Sequence, residues 1–230
     1  MTPSNTAAEI TAAIAACPSG QVVYLSTGTY NLGSGHITFG TTKSGVTLRG
    51  AGPGKTIITA TSTNLVNNSY QQFNETDGIT VSSGYTKGST AIVLASTPSS
   101  HFVAGNLIVI GENSSPNKFG TGVGTYARDG LTTTIYATTP ASRCFKYVTR
   151  IASVSGNTIN LASPLPLSFT SSLSILAYPP SGNGTMSLCG IEDMTFYDCA
   201  DPIRLYLADR CWFKDLEFDS CPEGDIGFLQ

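Results

Sequence analysis

The chain has 230 residues, only 12% of them charged, and a formal net charge of −3. That length suits one sizeable domain, and the charge balance offers no basic footprint for a nucleic acid. No apolar run approaches the ~18 residues of a membrane-crossing helix.

Residues 1 to 8 are small and polar, so no signal peptide is expected there, and export would require a leader already removed. Residues 5 to 16 predict an Ala-rich helix, with Ala7, Ile10, Ala13 and Ile14 on one face and Asn5 or Thr6 as its cap. Pro18, Ser19 and Gly20 stop it. Short strands are expected at Val22 to Leu25, from Gly28 to Tyr30, at Ile37 and Phe39, at Val46 to Arg49 and at Thr56 to Thr59. His36 follows Gly35 and reads as a solvated turn residue. The segment from Gly50 to Thr56 has the look of a phosphate loop, but Arg49 stands where the first glycine belongs, so it reads as a turn.

From Gly84 to Pro166 the pattern changes. Strands are expected at Ala91 to Leu94, Leu107 to Ile110, Tyr147 to Ile151 and Thr158 to Leu161, with a hairpin turn at Ser155-Gly156-Asn157. Their spacing is irregular, which predicts an inserted small antiparallel subdomain. Residues 112 to 143 within it read as one long loop, carrying Tyr126, Arg128, Asp129 and Tyr136 as sugar-contacting candidates.

The stretch from Cys189 onward is periodic. Cys189 to Cys199 aligns without a gap on Cys211 to Cys221, each position matching the one 22 residues later. Ile191, Met194 and Phe196 match Phe213, Leu216 and Phe218. A fixed short period marks a solenoid. Met194 and Phe196 share one strand face, whereas the three-residue step from Ile191 to Met194 breaks the alternation. A bend at Asp193 and Asp215 accounts for the break. Several short strands joined by bends in about 22 residues form one coil of a parallel β-helix. Ile226 and Phe228 restart the strand begun at Ile203. The chain then stops inside a coil with no C-terminal cap, which predicts a truncated solenoid or self-association through that end.

The pattern Ile-Glu-Asp-Met-Thr-Phe resembles the rungs of parallel β-helix proteins of the pectate lyase superfamily, a group that includes polygalacturonase-like and tailspike-like members. Asn5 to Tyr30 resembles that superfamily's capping helix and first strand, and Gly45 to Ile58 resembles its second coil. The resemblance implies an all-β, right-handed parallel β-helix with an N-terminal capping helix and an inserted antiparallel β subdomain. The expected layout is residues 1–83 for the cap and first coils, 84–166 for the insertion and 167–230 for further coils. It also implies a secreted carbohydrate-active protein, either the N-terminal part of a lyase or hydrolase acting on acidic polysaccharide or a non-catalytic adhesin or fibre protein that binds glycans. Polysaccharide is the expected partner, with neither nucleic acid nor membrane.

Catalysis does not carry over residue by residue. The Asn-Thr-Asp, Asp-Asp and Gly-His-Gly motifs of polygalacturonases are absent. Weak catalytic candidates are Asp201 and Asp225, expected to face outward one coil apart, at a spacing that suits carboxylate pairs. Arg204 and Tyr206 are candidate substrate contacts on the same strand, Arg204 as a bidentate partner for a uronate. A lyase would call for calcium; otherwise no cofactor or metal is expected.

Four Asn-x-Ser/Thr sequons, at Asn67, Asn74, Asn113 and Asn183, are candidate glycosylation sites and point to an extracellular setting. Of the six cysteines, Cys189 and Cys211 are expected to stack inward as small apolar residues. Cys199 and Cys221 lie at strand ends, where a disulfide between adjacent coils and a packed thiol pair are both open; they are the candidate disulfide.

Overall fold

The computed structural model describes residues 1–40, 42–68, 73, 75–113, 122–128, 131–137, 143–180, 185–222 and 226–229, with side chains at 113–145 and 226–229 excluded. The chain divides into two compact units, Met1–Gln72 with Gly182–Gln230, and Phe73–Ser181. The second unit is wider than the 84–166 segment expected from the sequence.

The first unit opens with helix α1 (Ala7–Ala16). Thr6 caps it through a capping box, accepting from Glu9 N–H while the Glu9 carboxylate accepts from Thr6 N–H. Ala7, Ile10 and Ile14 are its buried face. Lys43 Nζ donates to the carbonyls of Ala15 and Cys17 at the other end, where the last carbonyls lack helical partners. Six strands follow: β1 (Val22–Tyr24), β2 (Gly28–Asn31), β3 (Ile37–Thr38), β4 (Thr47–Arg49), β5 (Thr56–Thr59) and β6 (Thr63–Asn67). They make two passes of the chain. β4 lies parallel to β1, β5 to β2 and β6 to β3.

The second unit is built from β7 (Ile79–Ser83), β8 (Ala91–Leu94), β9 (Leu107–Asn113), β10 (Gly122–Arg128), β11 (Leu131–Ala137), β12 (Arg143–Ser155), β13 (Thr158–Leu161) and β14 (Leu176–Tyr178). Six of these close into an antiparallel barrel in the order β12-β13-β8-β7-β14-β9. The sequence predicts an antiparallel sheet; closure is what it does not show, because closure depends on pairs such as β14 with β7. The barrel has its own core, including Ile92, Ile108, Ile110, Ile151, Ile159 and Ile175. The hairpin at Gly156 is present, with Ser155 opposite Thr158. The expected loop at 112–143 instead contains a two-stranded hairpin, β10 with β11, pairing Tyr126 with Thr133 and Arg128 with Leu131. The β-branched and aromatic residues there, Val123, Thr125, Tyr126, Thr132 to Thr134, Ile135 and Tyr136, supply β-propensity that Gly-based loop reasoning undervalues.

The chain then returns to the first unit with β15 (Gly190–Tyr197), β16 (Asp201–Tyr206), β17 (Trp212–Asp219) and β18 (Ile226–Leu229). β15 and β17 pair in parallel, with Ile191, Met194 and Phe196 opposite Phe213, Leu216 and Phe218. This is the register set by the 22-residue repeat. Asp193 and Asp215 both take left-handed backbone conformations, φ 59° and 49°, so each is the bend the three-residue step requires. Because of that bend β15 is long enough to pair with β4 before it and with β5 after it. The outcome is two parallel sheets, one holding β1, β4, β15, β17, β5 and β2 and the other β18, β16, β6 and β3. Between them lies a core that includes Tyr30, Leu48, Ile58, Val66, Met194, Phe196 and Ile203.

The architecture is therefore all-β with one α-helix among the described residues. Among them no helix is long and apolar enough to cross a membrane. No three His, Cys, Asp or Glu side chains among them gather as a metal site.

Candidate functional site

Parallel stacking sets side chains from successive passes in rows about 4.8 Å apart. In the second sheet the inner row runs Ile37, Val66 and Ile203, and the next row runs Thr38, Asn67 and Arg204, with Ile226 and Gly227 in register beyond them along the backbone. Period 2 within each strand makes the first row core and the second row surface. Asn67 and Arg204 are half-buried accordingly.

Beside that outer row lies a cleft of about 340 Å³ lined by His36, Thr38, Asn64, Asn67 and Tyr206. Its floor is held by backbone-directed hydrogen bonds. Asn67 Nδ2 donates to the Asn64 carbonyl at 2.9 Å, and His36 Nδ1 shares that carbonyl at 3.2 Å. A carbonyl only accepts, so the proton sits on Nδ1, and in the neutral ring Nε2 is left as an acceptor. Thr38 Oγ1 donates to Asn67 Oδ1 at 3.3 Å. Helix α1 fixes this edge: Thr11 Oγ1 accepts from Thr38 N–H and donates to the His36 carbonyl. Asn64 takes φ 56°, a conformation Asn tolerates better than most residues. Its Oδ1 is buried with no hydrogen-bond partner.

Tyr206 is set by Asn68, which is 2% exposed. Asn68 Nδ2 donates to the Tyr206 carbonyl and Asn68 Oδ1 accepts from Tyr206 N–H at 2.8 Å. The side-chain amide thus continues the strand ladder as a backbone group would.

Of the residues proposed from sequence, Tyr206 and Asn67 line the cleft, and Arg204 is Asn67's neighbour across the ladder. Asp201 does not face outward. It is 3% exposed and paired to Arg204 at 2.7 Å, because a carboxylate buried at a strand start needs a cation beside it. Arg204 is correspondingly less available to a uronate, although its Nε is buried without a partner. Asp225, Asn74 and Asn183 lie outside the described residues, as do the side chains of Tyr126, Arg128 and Asn113. Asn67 occupies a cleft wall with its amide hydrogen-bonded rather than free on a loop. His36, read from sequence as a turn residue, is a cleft residue; its sequence neighbours gave no sign that Asn64 would stack beside it.

The candidate disulfide is not formed: Cys199 and Cys221 are both free thiols. Their S–H groups point to main-chain carbonyls, Cys199 to Tyr197 at 3.4 Å and Cys221 to Phe196 at 3.5 Å. Burial pushes the Cys199 thiol up to about 11, so little thiolate forms there in the folded protein near neutral pH. Cys189 and Cys211 stack as expected. The hydrogen bond from Cys211, working against burial, brings Cys189 down to about 7 and raises its donor.

The first sheet carries a network that the sequence reading missed. Glu192, 6% exposed, takes Arg49 Nε and one terminal nitrogen of Arg49 on Oε2, each at 2.7 Å, and Trp212 Nε1 on Oε1 at 2.6 Å. Burial opposes its ionisation most strongly, but the Trp212 and Arg49 hydrogen bonds prevail and hold the carboxyl below its usual range. The indole lies where a side chain at position 190 would stand, so Gly190 is required there. The available signal was the pairing of Gly190 with Trp212 in the repeat.

No known protein family matches the chain, and no curated protein matches it significantly. Its structural neighbours are phage tailspikes. It is similar to the tailspike gp61 of Pseudomonas phage phi297, with a TM-score of 0.58 and 14% identity over 92% of this chain and 31% of that one. The tailspike gp49 from Pseudomonas phage LKA1 matches with a TM-score of 0.47 and 18% identity, over 90% of this chain and 32% of the other. The gp54 tailspike of Acinetobacter baumannii bacteriophage AP22, in complex with A. baumannii capsular saccharide, gives 0.44 and 12%, over 93% and 36%. This chain therefore spans about a third of the length of these tailspikes. The likeness to gp61 is one of fold.

Proposed function

We propose that this chain is the glycan-binding, right-handed β-helical part of a tailspike-like extracellular protein. The observation that carries the reading is the cleft beside the second sheet. Five side chains from three passes converge there, and none of the five is a carboxylate. A glycosidase needs a carboxyl pair astride the bond it cleaves, and the described residues lining the cleft supply none, which favours binding over hydrolysis there. Tyr206 supplies an aromatic face with a hydroxyl, and the His, Thr and Asn groups supply the mixed donors and acceptors that sugar hydroxyls demand. The parallel ladder holds them without a flexible loop, which lowers the entropy lost on binding. Likeness of fold to a tailspike supports the same class.

The test is calorimetric titration with bacterial capsular polysaccharides, alginate and pectin. Binding by the parent is expected, with Tyr206→Ala and Asn64→Gly each weakening it about tenfold, the equivalent of ~1.4 kcal/mol. Absence of binding to every polymer at millimolar sugar, or a Tyr206→Ala variant that binds like the parent, overturns the proposal.

A further inference from the structure

We infer that the outer face of the first sheet is a second glycan-contact surface, built on Trp212 and Tyr24 and suited to a neutral hexose oligosaccharide. It shares with the cleft only the assignment of glycan as ligand class; no residue is common to both.

Strand register creates the surface. One row crosses β1, β4, β15 and β17 as Tyr24, Arg49, Glu192 and Lys214. The row beside it runs Val22, Thr47, Gly190 and Trp212. Three strand spacings make the face roughly 14 Å wide. Tyr24 is 49% exposed and Trp212 38%. Large aromatic residues this open to water, on a regular sheet with apolar positions turned inward, signal a contact surface rather than leftover core.

Trp212 is held unusually firmly for an exposed side chain. Its one N–H is taken by Glu192 Oε1, and Glu192 is in turn gripped by Arg49. Its ring fills the space above Gly190. An immobilised ring loses little rotamer entropy when a ligand covers it. With the N–H satisfied, what the indole offers a ligand is apolar ring surface, which suits the C–H face of a pyranose.

The charges along the row select among sugars. Arg49 is positive, Glu192 negative and Lys214 positive, and Asp193 lies 3.7 Å from Arg49. Signs alternate at the strand spacing and largely cancel. A polyanion gains little from such a row, whereas hydroxyl groups, each both donor and acceptor, can pair with either sign.

Trp212 is the single tryptophan of the chain, so emission under tryptophan-selective excitation, which leaves the tyrosines dark, reports on this surface. The test titrates the full chain with laminarihexaose, cellohexaose and mannohexaose, with hexagalacturonate as the charged comparison, in the parent and in Tyr206→Ala. The expected result is a saturable emission change with at least one neutral probe, weaker or absent with hexagalacturonate, and with the same midpoint in Tyr206→Ala. Calorimetry on Trp212→Phe, which keeps a ring above Gly190, should show that probe's affinity reduced about tenfold. Two results overturn the second surface while leaving the cleft proposal standing: calorimetric binding with no emission change, or an emission change that disappears in Tyr206→Ala. Neither binding nor emission change with any probe overturns the second surface, and the polymer titration then decides the cleft separately.

Discussion

Replacing Asn68 with Ala should both destabilise the parallel-sheet unit and loosen the cleft. The side chain is 2% exposed and makes two hydrogen bonds, both to the main chain of Tyr206. Ala leaves one N–H and one carbonyl without those partners. A buried backbone group so stranded costs about 1–3 kcal/mol. Tyr206 is half-buried, so water recovers part of the loss, and a total of ~2–4 kcal/mol follows. For a chain of this size that corresponds to roughly 4–16 °C in melting temperature. Circular dichroism melts give the first number, and amide hydrogen exchange at Tyr206 gives the local one. Asn68→Asp sharpens the argument. Its carboxylate keeps the acceptor for Tyr206 N–H but faces the Tyr206 carbonyl with a second acceptor. It should be as damaging as Ala at neutral pH and partly recover in acid, where the protonated carboxyl donates. An Asn68→Ala variant that melts with the parent, with Tyr206 N–H exchange unchanged, refutes the reasoning.

Two further predictions rest on other parts of the fold. Phe196 is fully buried and stacks on Phe218, ring centroids 5.5 Å apart; Phe196→Ala should cost ~3–5 kcal/mol by chemical denaturation and Phe218→Ala, which is only half-buried, measurably less, and the reverse order would contradict the packing. In the barrel, a hydrogen bond from His101 at 2.6 Å, helped by Ser99 and opposed by burial, holds Asp77 below its ordinary 3.8. A depressed carboxyl stabilises the fold above its unfolded value and loses that contribution as pH falls through the folded one. Asp77→Asn should therefore destabilise the protein at neutral pH, and the gap from the parent should close below about pH 4; a gap independent of pH would show that the carboxylate's charge is irrelevant.

Sequence was most informative where a local rule met a repeat. The offset of Cys189 to Cys211 set the register of β15 on β17. The irregular step at Asp193 and Asp215 located two left-handed bends, because side-chain alternation cannot survive a three-residue step without one. The cap at Thr6 and the turn at Gly156 were likewise local. What escaped notice depended on distant partners. Whether Asp201 faces water or Arg204 is decided by packing, not by its place in the strand. His36 gains its role from Asn64, and Glu192 from Arg49, 143 residues away along the chain. Composition also misled at 112–143, where Gly, Thr and Ser read as loop while the pairing makes a hairpin.

The closed barrel has a consequence for how such chains can change over time. Its first and last strands, β7 and β14, are neighbours, with Thr80 opposite Leu176, and Phe73 bridges Pro180 just outside them. The ends of roughly a hundred residues therefore meet within the unit itself, and closure leaves no bare strand edge along the six-stranded ring. To the segments that flank it, such a unit is topologically a short loop, since closure entropy grows only slowly with length. A barrel of this kind can be gained, lost or exchanged as a cassette while the passes before Phe73 and after Ser181 keep their register. Recombination between related chains would then be free to vary one unit without renegotiating the other.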